Sequence, residues 1–306
     1  MLYLLPLPNI GVNRMLSKRV RLGLSMLNSM RRGIIPLISK PDLFNHDLIV
    51  HFTYHKCLTL YFAQIMKSLT YEFHFKYFEI NTDIDYFRHA SRQEPGKRVI
   101  QVANINDIDL TKLPDYRGSH VVRDPRDLVV SGYYYHKRTI EKWCHNPDFD
   151  WSYIVENPIF QGHVESDPKK YPANISYQDY LNTLDKERGL ILEILWRKNH
   201  FQHMRTWDYS NPKMIEVKYE AIIGAETDTF AKIFEHYKMH PKMIERGLNI
   251  VDRFSLKNKA IRKKGHIRSG KKQQWADEFS DDVKKVFEDL HGDLLLILGY
   301  EKEQTR

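Results

Sequence analysis

Only two cysteines, Cys57 and Cys144, occur in 306 residues. Two thiols cannot build a disulfide framework, so the sequence reads as that of a protein of a reducing, cytoplasmic compartment. Long apolar runs are also lacking, and no segment reaches the roughly twenty residues that a membrane helix needs. The first seven residues are apolar, but Pro6 and Pro8 break the run and no basic residue precedes it, which makes a poor secretory signal. Acidic residues are absent from the first forty positions, where Arg14, Lys18, Arg19, Arg21, Arg31, Arg32 and Lys40 stand. The net formal charge is +8, so nearly all of the basic excess sits in this arm. The rest of the chain is close to neutral and lacks the basic face that a nucleic-acid partner requires. Internal repeats, low-complexity tracts and His/Cys/Asp/Glu clusters at ligand spacing are missing too, so no metal is expected.

What is present fits a globular protein. A content of 42% hydrophobic and 28% charged residues supports a sizeable core, read as one domain over residues 41–306 behind a basic arm of residues 1–40. In residues 14–32, Leu16, Val20, Leu24 and Leu27 recur at helical spacing, with Arg14, Lys18 and Arg21 elsewhere on the wheel. A surface helix packed on the body, weak contact with a membrane surface and an organelle-targeting segment all fit that pattern.

Residues 47–52 (DLIVHF), 98–103 (RVIQVA), 119–122 (SHVV) and 213–217 (KMIEV) read as buried strands. Helices are expected over 56–69, from Asp124 to about Arg138, over 186–206 and, last, over 280–298. The start Asp124-Pro125-Arg126-Asp127 supplies an N-cap, a proline at the first position and an acid in the first turn. Residues 140–180 show no period and read as a long irregular insertion. Strands alternating with helices imply an α/β fold, a three-layer sandwich with a mostly parallel central sheet. Ligands bind such sheets at the carboxyl ends of the strands, which points to residues 53–59, 104–107 and 123–127.

Three segments carry chemistry. In Thr53-Tyr54-His55-Lys56-Cys57-Leu58-Thr59, a strand meets a helix whose free N–H groups favour an anion, with Lys56 adding a charge and Thr59 a hydroxyl; a solvated lysine is the plain alternative. Cys57, beside Lys56 at the helix start, is expected to have a lowered thiol pKa, a buried and inert thiol being the other reading. In Arg123-Asp124-Pro125-Arg126-Asp127-Leu128-Val129-Val130-Ser131, Arg123 at a strand end can grip a phosphate and Ser131 can add a hydroxyl, unless Arg123 merely pairs with an aspartate. In His266-Ile267-Arg268-Ser269-Gly270-Lys271-Lys272-Gln273-Gln274-Trp275, a basic stretch folds over a polyanion or is simply solvated, and Gly270 permits close backbone approach.

In this order and spacing the three segments resemble the family of sulfotransferases dependent on 3′-phosphoadenosine 5′-phosphosulfate (PAPS). They are similar to its TYPKSGTTW, RNPRDxxVSxY and RKGxxGxW motifs, and Lys218-Tyr219-Glu220-Ala221 and Leu298-Gly299-Tyr300 are similar to its RYEDL and LGY. The resemblance covers roughly residues 47–300. It implies the P-loop-NTPase-like sulfotransferase fold, PAPS as co-substrate and a small-molecule or glycan acceptor. It also implies that Lys56 stabilises the departing oxygen and that Thr53, His55, Cys57, Leu58, Thr59 and Leu60 form the 5′-phosphosulfate loop. Arg123, Ser131, Arg268, Ser269 and Gly270 would hold the 3′-phosphate, and Tyr61, Tyr219 and Phe254 would surround the adenine.

The departures from the family pattern are also legible. His55, Cys57, Leu58 and Leu60 replace Pro, Ser, Gly and a phosphate-donating Thr, and the family's basic His falls at Asn104. Asp107 and His136 are the substitutes by location. Trp143, Trp151, Tyr153, Phe160 and Tyr171 form acceptor walls or core. A nucleotide kinase is disfavoured because no GxxxxGK[ST] loop is present; a non-catalytic phosphoadenosine-binding protein remains the alternative.

Overall fold

The structure is a computed structural model that describes residues 48–80, 98–103, 108–165, 172–255 and 272–302, all within one unit, Leu43–Arg306. Strands β1 (Leu48–Thr53), β2 (Lys76–Ile80), β3 (Arg98–Ala103), β4 (Tyr116–Val122) and β5 (Met214–Lys218) form one sheet in the order β2-β3-β1-β4-β5. Every neighbouring pair is parallel. Sheets of this kind are covered on both faces, and β1 and β3 are buried at every position, which explains their unbroken apolar character. On one face Leu48, Val50, Phe52, Ile100, Val102 and Met214 pack with Trp207. On the other, His51 stacks on Phe62 at 3.7 Å, and its Nδ1 meets Ser119 Oγ at 2.8 Å, which in turn meets the Tyr237 hydroxyl at 2.6 Å.

Helix α1 (Thr59–Phe73) follows β1 and α2 (Pro125–His136) follows β4. Helices α3 (Tyr177–Thr183), α4 (Lys186–Trp196) and α5 (Lys198–Thr206) precede β5; α6 (Glu226–His236), α7 (Pro241–Arg253) and α8 (Asp281–Ile297) come after it. Helix α1 packs on β2, β3 and α7, whereas α2, α4 and α8 pack on one another. The expected α/β sandwich is present, with a sheet that is parallel throughout.

Four local expectations change. The first helix starts at Thr59 rather than at residue 56, because Lys56 and Leu58 have φ of 73° and 63°. Strand β2 was not expected: its KYFEI pattern is half exposed at the sheet edge and lacks an apolar run. The helix expected over 186–206 kinks at Arg197 (φ −81°, ψ 4°), although Arg197 N–H still donates to Glu193 O and Phe201 N–H to Arg197 O. The described parts of 140–180 hold short helical turns over Lys142–His145, Ser152–Val155 and Phe160–Val164, followed by α3. Trp151 and Phe160, read as pocket walls or core, are core. The arm of residues 1–40, Tyr171, Asn104, Asp107, Arg268, Ser269 and Gly270 lie outside the described residues.

Candidate anion-binding and transfer site

Thr53, the last residue of β1, pairs with Val121 near the end of β4, so the loops after these strands open side by side. The chain leaves β1 toward β3 and β2 but leaves β4 toward β5. Such a reversal is where parallel sheets form their ligand crevice. The turn after β1 is tied internally: Cys57 N–H donates to Tyr54 O (2.9 Å), Thr53 Oγ1 to Cys57 O (2.8 Å) and Thr59 Oγ1 to Tyr54 O (3.2 Å). These bonds hold Lys56 and Leu58 in left-handed backbone, at a cost of roughly 1–2 kcal/mol each without glycine. Leu58 is the N-cap of α1, makes no side-chain cap and is followed by no acid in the first turn. The positive end of α1 is therefore open to an anion.

Two cations flank that opening. Lys56 Nζ lies 3.5 Å from the centroid of the Tyr135 ring; burial, then repulsion from Arg197, lowers its pKa to about 8. Arg123 is 3% exposed. Its guanidinium lies 4.1 Å from the Tyr219 ring centroid, Nη1 donates to Lys56 O at 3.4 Å and Nη2 stands 3.6 Å from Asp127 Oδ2. Its Nε is buried without a hydrogen-bond partner. Burial pushes the Asp127 carboxyl up, against the pull of Arg123. Arg123 is thus a buried guanidinium with a long contact to its carboxylate and donor capacity to spare, which an anion would complete.

Distant segments hold this corner in place. Asp124 caps α2 by accepting from Arg126 N–H at 2.9 Å. Arg126 pairs with Asp124 and Glu301 and lies 3.8 Å from the Trp275 ring centroid, and Trp275 N–H donates to Asp127 Oδ1 at 3.1 Å. Glu220 accepts from Asp124 N–H (3.2 Å) and from the Tyr300 hydroxyl (2.7 Å), while Lys218 Nζ donates to Gly299 O (2.8 Å). The motif residues around 123–127, 218–220, 275 and 299–300 meet at one point.

The remaining expected residues divide. Tyr219 is buried beside Arg123; Ser131 on α2 and Phe254 at the end of α7 are half-buried; Leu60 is exposed. Tyr61 is buried, edge-on to Phe230 at 5.9 Å. Cys57 reverses its expectation: it is fully buried, and burial pushes its thiol up to about 12, outweighing the opposing pull of Arg123. His55 is held well below the usual imidazole range by burial and then by His136, on which it stacks at 5.2 Å. His136 is fully buried, with Nδ1 2.8 Å from Glu193 Oε2.

Sequence reasoning missed Tyr135, Glu141 and the Glu193–Arg197 pair. Only the last had a signal, two opposite charges four residues apart within the apolar run of residues 190–197. Glu193 Oε2 also accepts from the Tyr177 hydroxyl (2.9 Å), and Arg197 Nε stands 2.9 Å from Oε1. Arg197 Nη1 and Nη2 are buried without hydrogen-bond partners. Burial would raise the Glu193 carboxyl, but the charges of His136 and Arg197 and the hydrogen bonds from His136 and Tyr177 bring it below its usual value.

Fold and site together define a parallel α/β protein with an anion-receiving turn between its first strand and helix. No family model and no curated protein matches the chain. Among solved structures it is similar to mouse sulfotransferase SULT7A1 complexed with PAP, at 14% identity and a TM-score of 0.45, over 84% of this chain and 87% of that one. It is also similar to retinol dehydratase in complex with androsterone and inactive cofactor PAP, at 15% identity and a TM-score of 0.42, over 81% and 80% of the two chains. At this identity and TM-score the likeness adds nothing to the site's own geometry.

Proposed function

We propose that this chain is a sulfotransferase that moves a sulfonate group from PAPS to a hydroxyl or amine of a small-molecule or glycan acceptor. The observation that carries the reading is the convergence of Lys56 and the incompletely paired Arg123 on an uncapped, left-handed turn at the switch point of the sheet. A phosphosulfate fits these groups: α1 N–H groups for the 5′-phosphate, the Lys56 ammonium for the oxygen between phosphorus and sulfur, and Arg123 with Ser131 for the 3′-phosphate. Arg268, Ser269 and Gly270 join them on the strength of the sequence motif alone. Two buried free thiols agree with a reducing, cytoplasmic setting, and among the described residues no helix is long and apolar enough to cross a membrane.

In this reading the acceptor attacks sulfur in line with the departing oxygen. Lys56 meets the negative charge that grows on that oxygen as the S–O bond breaks, so its contribution is larger in the transition state than in the ground state. Arg123 and the turn hold the nucleotide still, which makes the displacement a matter of positioning. A non-catalytic nucleotide-binding protein is the second reading, favoured by Leu60, which offers no hydroxyl in the first turn of α1. Incubation with ³⁵S-labelled PAPS and a panel of phenols, alcohols and amines separates them. Release of PAP with a labelled product is expected; nucleotide binding without any PAPS consumption would overturn the enzyme reading.

A further inference from the structure

The reaction needs a group to take the acceptor's proton. His136 is poorly placed for it: fully buried, it has Nδ1 on Glu193, its face covered by His55, and Trp143 and Trp196 edge-on at 5.1 and 4.8 Å. Glu141 differs. Its side chain is 37% exposed and its carboxylate is clamped from separate segments: Oε1 accepts from the Tyr135 hydroxyl at 2.7 Å and lies 3.8 Å from His55 Nε2, while Oε2 accepts from Trp143 Nε1 at 2.6 Å. The Tyr135 ring that holds one oxygen of Glu141 is the ring beneath the Lys56 ammonium. One phenol therefore separates a fixed cation from a fixed, solvent-reaching carboxylate.

We propose that Glu141 is the general base of this site, taking the proton from the acceptor while Lys56 faces the leaving oxygen; the assignment rests on the sulfotransferase reading above. In-line displacement places the attacking and departing oxygens on opposite sides of one sulfur, so base and leaving-group cation must be separate groups of one site; Lys56 on the Tyr135 ring and Glu141 on the Tyr135 hydroxyl meet that need. The acceptor's O–H bond breaks, its proton passes to the Glu141 carboxylate and its oxygen forms the new bond to sulfur. The old S–O bond breaks with its electron pair retained by the nucleotide phosphate. Atoms and charge balance without another reactant. Ile140, 91% exposed, stands next to Glu141 in the chain and offers an apolar contact for the acceptor's body.

Among the described residues the groups facing this carboxylate are His55 and Lys56 from the turn after β1, Tyr135 from α2, and Trp143 and the buried thiol of Cys144 from the turn that follows. The test is turnover of ³⁵S-labelled PAPS by the whole chain, with 2-naphthol as probe acceptor and with water as the nucleophile where 2-naphthol is not used. Glu141→Gln is expected to lower turnover by about 100-fold or more, to abolish the acid limb of the pH profile and to leave PAP affinity unchanged. Tyr135→Phe, which removes one clamp but keeps the carboxylate, is expected to retain the acid limb. Near-native turnover by a Glu141→Gln protein that binds PAP overturns the assignment, as does an equal loss in both variants with the acid limb kept in both. A native protein that binds PAP yet consumes no PAPS overturns the sulfotransferase reading itself, and this inference with it.

Discussion

Replacing Lys56 by Met separates what the turn does chemically from what it costs structurally. Burial and the nearby Arg197 hold the ammonium at a pKa of about 8, against 10.5 for a solvated lysine. Each unit is worth about 1.4 kcal/mol, so the charged side chain destabilises the fold at neutral pH by up to about 3 kcal/mol, less whatever solvent contact relieves. Because the folded pKa lies below the unfolded one, the unfolded chain binds more protons between about pH 8 and 10.5, and stability rises with pH through that window. Methionine is of similar length and uncharged. At pH 7, Lys56→Met should therefore unfold about 1–3 kcal/mol later than the native protein, a shift of several degrees in Tm for a domain of this size, and the advantage should shrink as pH approaches 10. Turnover should fall about 10²–10³-fold over the same change. Urea melts at pH 7 and 10, run beside turnover assays, read both effects. A variant that melts earlier at pH 7, or an advantage that does not change with pH, would refute the electrostatic account of this turn.

Other outcomes follow from the same geometry. The kcat/KM profile should lose activity above about pH 8 as free Lys56 deprotonates, a limb missing from Lys56→Met; kcat, which reports the complex, should hold to higher pH because a bound polyanion keeps the ammonium charged. Gly132→Ala would place a Cβ 2.0 Å from Glu193 Oε1 and 2.3 Å from Arg197 Nη2. Prying that buried pair apart should cost about 3–5 kcal/mol, visible as a lower midpoint in urea. Cys57, fully buried with its thiol pushed up to about 12, should resist iodoacetamide at pH 8 in native protein, with or without PAP, and react only on unfolding.

Much of this corner was legible because it rests on local rules. The apolar runs of β1 and β3 are what a strand buried on both faces requires, and the Asp124-Pro125 start of α2 is written in residues that can do little else. The left-handed turn was not legible. Neither Lys56 nor Leu58 is a residue that favours positive φ, so propensity predicted helix where the turn's own hydrogen bonds impose strain. Cys57 takes the second of its two readings, a buried and inert thiol, for a related reason: its neighbours along the chain favour a thiolate, but its neighbours in space exclude water, and burial outweighs them. Glu141 lies in a stretch without period, and only tertiary contacts from Tyr135 and Trp143 distinguish it from a solvated glutamate.

The central claim is that Arg123 and the turn after β1 form a pocket for a nucleotide phosphorylated at both its 3′ and 5′ positions. Calorimetric titration with 3′,5′-phosphoadenosine and with 5′-AMP, on the native protein and on Arg123→Ala, tests it most directly. Charge-assisted bonds to a phosphate are worth about 1.5–3 kcal/mol each, so the native protein should prefer 3′,5′-phosphoadenosine by about 100-fold, and Arg123→Ala should lose most of that preference while binding 5′-AMP as before. Equal affinity of the native protein for the two nucleotides would contradict the claim.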